Sequence, residues 1–466
     1  MRLISVTYHE VHKRWGFNDL QLSDINLLVG ISGVGKTKIL DSISALGQIA
    51  NGKSVRGAKW DVSFEGIAGD KYRWAGEFSS EKSFFGVQIY GKECGCQLLS
   101  EQIFLNDIKI AERIHNETYF EGQKVVKIGD ENRSIFSIIS EEKIALARAE
   151  LNKILVGMDW QSEFKSAREK LSDKFLNLVN SMYAENMQKG DKVTESSGNY
   201  LTIQTNSTDL SDELKQIENE MEQIRGKIIE KSSEERASLL SKVEHLQNYI
   251  DEKVKKRLKQ VEQLENEKKE IAEELVFKSN LSIVARLVLV YKTQEFTHLF
   301  NQINDMFIDF FPQVEDIKMD YYDGEEEATE LRRIPIIFVK EERVDHWIPM
   351  FDMSSGMLKT FIEISRLVLS EDGSIFLIDE FENGLGINCL RLLNQEVISK
   401  KNIQFIITSH HPYIINNINI DNWKIVTRNG GEIIIKSAKD YHLSDSKLEA
   451  FTQLISHPEY YEGMNA

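Results

Sequence analysis

Between Asp209 and about Leu275, apolar residues recur in alternating steps of about four and three. They are Leu210, Leu214, Ile217, Met221, Ile224 and Ile228, then, past the polar run Lys231 to Glu235, Leu239, Val243, Leu246, Ile250, Val254, Leu258, Val261, Leu264, Ile271 and Leu275. This period is that of a coiled-coil seam. A helix from Glu234 to Leu275 would be on the order of 60 Å long at 1.5 Å per residue. The spacing predicts an antiparallel hairpin with Ser232 and Ser233 at or near its tip; a helix pair lying flat on a body is the plainer arrangement of the same residues.

On either side of this stretch the pattern changes. Asn26 to Val29 reads as a strand, followed by a glycine-rich loop and a helical period from Lys36 to Ile49. Short strands follow at Val62 to Phe64, Lys71 to Trp74 and Phe84 to Tyr90, then a helical stretch from Glu141 to Met187 and a polar loop from Gly190 to Asn206. Past the seam come a helix from Ser282 to Phe311, strands near Val314 to Tyr322 and Ile334 to Lys340, a helix after Gly356, and strands at Ser374 to Asp379 and Ile403 to Thr408. No tandem repeat is visible. The ends therefore read as α/β, with an N-terminal lobe over 1–204, a coiled-coil hairpin over 205–280 and a C-terminal lobe over 281–466. All five prolines lie at Pro312 or later, which leaves the earlier chain free to hold long helices.

At 466 residues the chain exceeds what a single core usually supports, and 41% apolar with 28% charged residues is ordinary globular usage. The three cysteines, Cys94, Cys96 and Cys389, are too few for a disulfide framework, so a reducing, cytoplasmic setting is expected. The longest apolar run, Leu281 to Tyr291, is interrupted by Arg286 and is too short to span a bilayer, so no membrane is expected as a partner. A net charge of −17 argues against nonspecific coating of DNA, although a local basic patch could still touch it.

Four short motifs carry chemistry. Gly30 to Thr37, GISGVGKT, fits the P-loop pattern: backbone N–H groups curl round a phosphate, Lys36 reaches the β- and γ-phosphates, and the Thr37 hydroxyl binds Mg²⁺. It follows a strand and opens a helix, as that role requires. Ser374 to Glu380, SIFLIDE, ends a strand in two acids; Asp379 can hold the water shell of Mg²⁺ and Glu380 can orient or deprotonate water. Ser354, Ser355 and Gly356 precede an amphipathic helix, where N–H groups and the helix dipole attract an anion, although Ser354 also suits a plain N-cap. Gln404 to Pro412 ends a strand in His410 and His411, and a histidine beside phosphates can report on a γ-phosphate.

In this order the motifs resemble those of ABC-type ATPases of the SMC, RecF and RecN clan, and most closely the OLD-like AAA ATPases of phage-defence operons. The resemblance covers roughly 1–135 and 290–430. It implies an ABC-type P-loop head built from both lobes with the coiled coil inserted, binding ATP and Mg²⁺. Gly30, Ser32, Gly33, Val34, Gly35, Lys36, Thr37 and Lys38 would surround the phosphates, and Thr37 and Asp379 the metal. Glu380 and His410 would act in hydrolysis. Ser354, Ser355 and Gly356 would form the signature loop, and Glu382 to Leu385 the D-loop. The chain departs from the family at Ser32-Gly33, Ser355, Met357 and Gly386-Ile387. Gln88 and Gln97 are candidates for a Q-loop glutamine, and Lys13, Arg14 and Trp15 for base contacts.

The resemblance implies a homo-oligomer in which the signature loop of one subunit completes the phosphate site of another. The expected function is an ATPase switch subunit of an antiviral defence complex, acting on a separate effector such as a nuclease or toxin. After His411 only about 55 residues remain, too few for an appended nuclease domain. A DNA-repair or DNA-clamping ATPase is the alternative, with DNA as partner and Lys253, Lys255, Lys256, Arg257 and Lys259 on the arm as contacts. A small-molecule kinase is a third reading, which leaves Ser354 to Gly356 and Glu380 without a role. The C-terminal stretch through Leu448, Phe451 and Leu454 is an amphipathic helix that could dock a partner or pack on its own body.

Overall fold

Three short runs, Ile25–Val29, Ile375–Ile378 and Gln404–Thr408, are mostly apolar without alternation, and nearly every residue in them is buried. Continuous burial marks strands covered on both faces, the usual setting of a parallel sheet. The computed structural model describes residues 1–81, 96–114, 117–125, 132–156, 281–320, 336–382, 401–444, 446–461 and 464–465, with scattered helical positions between 219 and 278. By its contacts the chain divides into two units, Met1–Ser172 with Asn280–Ala466, and Asp173–Ser279.

In the first unit the N-terminal strands are β1 (Arg2–Glu10), β2 (Trp15–Gln21), β3 (Ile25–Val29), β4 (Ala58–Glu65), β5 (Lys71–Phe78), β6 (Leu98–Leu105), β7 (Ile108–Ile114), β8 (Glu117–Phe120), β9 (Gln123–Val125) and β10 (Ile154–Val156). The C-terminal strands are β11 (Val314–Asp320), β12 (Ile336–Glu341), β13 (Ile348–Pro349), β14 (Ile375–Ile378), β15 (Gln404–Thr408), β16 (Trp423–Asn429), β17 (Glu432–Ser437) and β18 (Met464–Asn465). Among the described residues, all but β11 to β13 join one sheet, ordered β10-β14-β15-β3-β16-β17-β2-β1-β4-β5-β6-β7-β8-β9, with β18 beside β16. From β10 to β16 every pairing is parallel. From β2 to β9 every pairing is antiparallel. Strands from both ends of the sequence thus interleave, β3 lying between β15 and β16.

Helix α1 (Lys36–Ala50) buries Ile39, Leu40, Ile43, Leu46 and Ile49 against the sheet. The antiparallel half has an aromatic core: Trp74 meets Trp60 at 5.1 Å and Phe136 at 5.0 Å between ring centroids, both edge-on. Phe136 belongs to the short helix α2 (Ile135–Ile138). The carboxylate of Glu101, 1% exposed, sits at the N-terminus of α2 and accepts from Trp74 Nε1 (2.7 Å), Ser134 Oγ (2.5 Å) and Ile135 N (2.6 Å). Burial raises its pKa, and the three donors and Arg113 oppose that shift. Removing the acceptor strands three buried donors, each worth roughly 1–3 kcal/mol. Glu101→Ala should therefore destabilise the unit by about 3 kcal/mol or more, read as a lower urea midpoint in tryptophan fluorescence. An unmoved midpoint would contradict this account.

Two expected helices are shorter than their periodicity suggests. The stretch from Glu141 begins as α3 (Glu142–Leu151) but gives way to β10, whose Ile154, Leu155 and Val156 pair in parallel with β14. Arg366 donates a hydrogen bond to the Val156 carbonyl. The stretch from Ser282 is two helices, α4 (Ile283–Lys292) and α5 (Thr297–Phe310), separated at Thr293, which takes an extended conformation and is buried. Helix α4 is the long apolar run, and its burial from Ile283 through Val290 explains its composition. Arg286 within it donates to the Leu369 carbonyl. No helix among the described residues is long and apolar enough to cross a membrane.

Helix α6 (Ser355–Val368) packs on α5 through Phe361 and Phe307, at 5.6 Å edge-on, beside the small sheet β11-β12-β13. After β15 comes α7 (Pro412–Asn417), and after β17 comes α8 (Lys447–Ser456). Helix α8 packs on its own body: Ala450 and Leu454 are fully buried, and Phe451 meets Trp423 edge-on at 6.5 Å. Cys96 is buried, its backbone N–H donating to Ser54 Oγ; Cys94 and Cys389 lie outside the described residues.

In the second unit the described positions from Leu239 to Tyr249 are helical. Leu239, Val243 and Leu246 are half-buried, while the described residues between them are exposed. Lys242 Nζ lies 3.5 Å from Glu220. Leu210, Leu214, Ile217, Met221, Ile224, Ile228, the Ser232-Ser233 tip, the loop 190–206, and Lys253 and Arg257 fall outside the described residues, as do the strand 84–90 and the helix beyond 156.

Candidate phosphate and metal site

The site lies where β3, β15 and β14 end at the same edge of the parallel sheet, in the crevice where ligands of such sheets bind. Strand β3 runs into the loop Gly30 to Gly35 and then α1. Two glycines of that loop are fixed by close approach. A Cβ on Gly30 would stand 2.4 Å from the Val426 carbonyl oxygen of β16, and one on Gly35 2.5 Å from Ile433 Cδ1 of β17. Gly35 also has φ of 105°, which an L side chain rarely adopts. Ser32 and Gly33 are exposed at the loop's outer turn, and Val34 is fully buried as its anchor.

Lys36 is only 6% exposed, and its ammonium donates to the carbonyls of Gly30 (2.7 Å) and Ile31 (2.9 Å). Burial lowers its pKa to about 8, against the pull of Asp379, Glu382 and Glu380. A desolvated cation held over its own loop is a ready partner for an anion. Lys38 instead lies over the ring of Trp15, 5.1 Å from its centroid. Trp15 is thereby covered and 7% exposed, so it offers no open face to a base. Lys13 pairs with Glu10 at 2.6 Å and lines a cleft of about 330 Å³ along the flank of α1, together with Tyr8, Asp41 and Arg56. Burial, then Asp379 and Glu10, raise the pKa of Asp41.

Asp379 and Glu380 leave the end of β14, both exposed, while Phe381 folds back into the core with no exposed surface. Thr37 Oγ1 donates to Asp379 Oδ2 at 2.7 Å, joining the first turn of α1 to the end of β14. Thr408, at the end of β15 between them, donates to Asp379 Oδ1 at 2.5 Å and accepts from Glu380 N at 2.7 Å. Glu380 is held at φ of 48°, a left-handed conformation costing roughly 1–2 kcal/mol for a non-glycine residue. His410 is exposed beside these acids. Burial, followed by repulsion from Lys36, lowers its pKa against the pull of the three acids. Its backbone N–H donates to Glu382 Oε1 at 2.7 Å.

The donor set suits a hard cation: a hydroxyl and a carboxylate oxygen meet. Among the described residues no three His, Cys, Asp or Glu side chains converge on a metal-sized centre. A cation here would be held by Thr37 and Asp379 and would take further oxygens from its substrate and from water, as Mg²⁺ does.

Ser354, Ser355 and Gly356 are exposed at the start of α6. Ser354 caps that helix, its Oγ accepting from Met357 N at 3.2 Å. None of the hydrogen bonds or ion pairs among the described residues joins these three to Gly30 to Thr37. A Cβ on Gly356 would meet nothing within 4 Å. Asn383 to Leu385 and Gln88 lie outside the described residues, whereas Glu382 turns inward to His410. Gln97 lies next to β6, and its carbonyl accepts from Ser79 N. Thr408 is a residue the motif reading leaves without a role here, and Glu382, expected in the D-loop, accepts from His410 N within the same site. A threonine directly preceding the Ser-His pair, and an acid two positions past Glu380, are the signals that point to them.

A solved structure described as "Crystal structure of the Smc head domain with a coiled coil and joint derived from Pyrococcus yayanosii" is 11% identical, with a TM-score of 0.35 over 97% of this chain and 98% of that one. No curated protein matches the chain. Residues 173–416, more than half of the sequence, match the family described as "AAA domain, putative AbiEii toxin, Type IV TA system". That span holds Ser354 to Gly356, Asp379, Glu380 and His410, and starts after the Gly30 to Thr37 loop, whose place in the site is given by its contact with Asp379. The chain belongs to this AAA-domain family.

Proposed function

We propose that the chain is an ATP-binding and ATP-hydrolysing switch subunit with an ABC-type head. The observation that carries this reading is the 2.7 Å hydrogen bond between Thr37 and Asp379, which unites a P-loop hydroxyl with a strand-end acid from the far end of the sequence. Lys36 and the N–H groups of Gly33 to Thr37 bind the phosphates, with Ser32, Val34 and Lys38 shaping the loop. Thr37 and Asp379 hold Mg²⁺, which when bound neutralises phosphate charge. Glu380 orients the attacking water and takes its proton, and His410 senses the γ-phosphate.

Ser354, Ser355 and Gly356 act on a second copy, contributing a hydroxyl and a helix N-terminus to the partner's phosphates. Two heads thus close on ATP and part after hydrolysis. The Glu220 to Lys242 ion pair supports an antiparallel hairpin over 205–280, with the polar run Lys231 to Glu235 at its turn, as the element that transmits the change. The family's association with a toxin of a type IV system, together with the OLD-like resemblance, supports antiviral defence as the setting and a separate nuclease or toxin as the effector.

Phosphate release from ATP by the purified chain tests this reading. Turnover is expected with Mg²⁺ and should fall at least about tenfold on chelation. A chain that binds no nucleotide, or turns it over equally without a divalent cation, would overturn it. Purification of the chain from its native host should bring the effector with it; a chain recovered alone, or with DNA only, removes the effector from the reading.

A further inference from the structure

We propose that Thr408 is a positioning residue for both acids of the site, holding the metal-binding carboxylate and the water-activating glutamate in one fixed arrangement. The inference rests on the ATPase reading above and adds to it a residue that touches neither nucleotide nor metal. Thr408 is fully buried, so its hydroxyl must find partners within the protein. It finds two, donating to Asp379 Oδ1 (2.5 Å) and accepting from Glu380 N (2.7 Å). A hydroxyl has one proton to give and lone pairs to accept with, so this one group ties a side chain and a backbone at successive positions.

Each bond has a separate consequence. With Thr37 on Oδ2 and Thr408 on Oδ1, both oxygens of Asp379 accept a hydroxyl, which fixes the plane of the carboxylate. Were Thr37 to turn its hydroxyl to a cation, the bond from Thr408 would still hold Asp379. The bond from Glu380 N holds the left-handed turn at φ of 48° and thereby sets where the Glu380 side chain starts. The loops are also tied in the opposite sense, His410 N to Glu382 Oε1 at 2.7 Å, so the ends of β14 and β15 are cross-linked in both directions. β-Branching restricts χ1 of Thr408, which suits a residue whose hydroxyl must keep one direction.

The test compares Thr408→Val, which keeps the shape and removes the hydroxyl, with Thr408→Ser, which keeps the hydroxyl. Outer-shell partners of metal ligands typically matter by about 10–100-fold. For Thr408→Val, kcat should fall within that range while KM for ATP changes little. In calorimetry with ADP, the gain in affinity that Mg²⁺ confers should shrink, while affinity without Mg²⁺ is retained. Thr408→Ser should recover both to within a few-fold. Thermal unfolding identifies a valine variant that fails to fold, in which case Thr408→Ala is read against the same criteria. A folded variant lacking the hydroxyl whose kcat and Mg²⁺-dependent ADP binding both stay within about twofold of the parent overturns the proposal. A parent chain that does not hydrolyse ATP overturns the ATPase reading instead, so the two failures are distinct.

Discussion

Replacing Glu380 with glutamine should leave a chain that binds ATP but turns it over about 10³-fold more slowly, within the range that a positioned general base contributes. Glu380 is exposed at the end of β14, next in sequence to Asp379 and close enough to Lys36 and His410 to influence the pKa of each. The amide keeps the size and the hydrogen-bonding reach of the carboxylate but cannot take a proton from water. The left-handed backbone at this position is tied through its own N–H to Thr408 Oγ1, a bond the change leaves in place, so the turn should survive. On the proposed reading nucleotide affinity depends on Lys36 and the loop, which are untouched. Single-turnover measurement should therefore show normal binding followed by slow cleavage, and sedimentation should show ATP accumulating in an associated form that the parent only visits. Rapid turnover by the glutamine variant would remove Glu380 from the chemistry and leave Asp379 as the remaining exposed acid among the described residues at this strand end.

The parts of this site that could be read from local spacing are those whose chemistry is local. A strand, a loop of glycines and a lysine-threonine pair opening a helix are contiguous, and so are the four buried residues that deliver Asp379 and Glu380. The expected helix at 36–49 and the structure's α1 differ by one residue because the loop and the apolar period of Ile39, Ile43, Leu46 and Ile49 agree on where it starts. Thr408 was hidden for the opposite reason. Its importance comes from the order β14-β15-β3, which places its hydroxyl between two segments distant in sequence, and no local pattern encodes that order. Strand β10 is hidden likewise: Ile154, Leu155 and Val156 continue a helical period, and their pairing with β14 decides the outcome. The break at Thr293 falls just past the apolar run Leu281 to Tyr291, in the polar stretch Lys292 to Glu295, and four polar residues are also what an exposed helical turn carries, so local spacing does not mark it. Much of the antiparallel half, including β1, β2 and β6 to β9, escapes for a related reason. These strands alternate weakly and draw their stability from their neighbours in the sheet, a property of the sheet and not of any one segment.

Replacing Ser354 with arginine should abolish turnover by at least about 10²-fold while leaving ATP binding by the single chain intact. The case rests on Gly356 as much as on Ser354. A glycine in the first turn of a helix costs roughly 1 kcal/mol relative to alanine, yet the space where its side chain would lie is open. Nothing among the described residues demands glycine there, which on the proposed reading leaves its usefulness to a second copy approaching from outside. Ser354 beside it has an exposed hydroxyl whose bond within the chain is the cap on Met357 N at 3.2 Å. Losing that cap costs only about 1 kcal/mol, too little to unfold the unit. Arginine at this place blocks close approach by a second copy without touching Lys36, Thr37 or Asp379. Binding of ATP should thus be preserved and ATP-dependent association lost, and turnover per chain in the parent should rise with protein concentration, where the variant stays low throughout. Turnover undiminished in the arginine variant, or independent of dilution down to monomer, means that the phosphate site is complete within one chain, and the closing of two heads on ATP then has no part in the reaction.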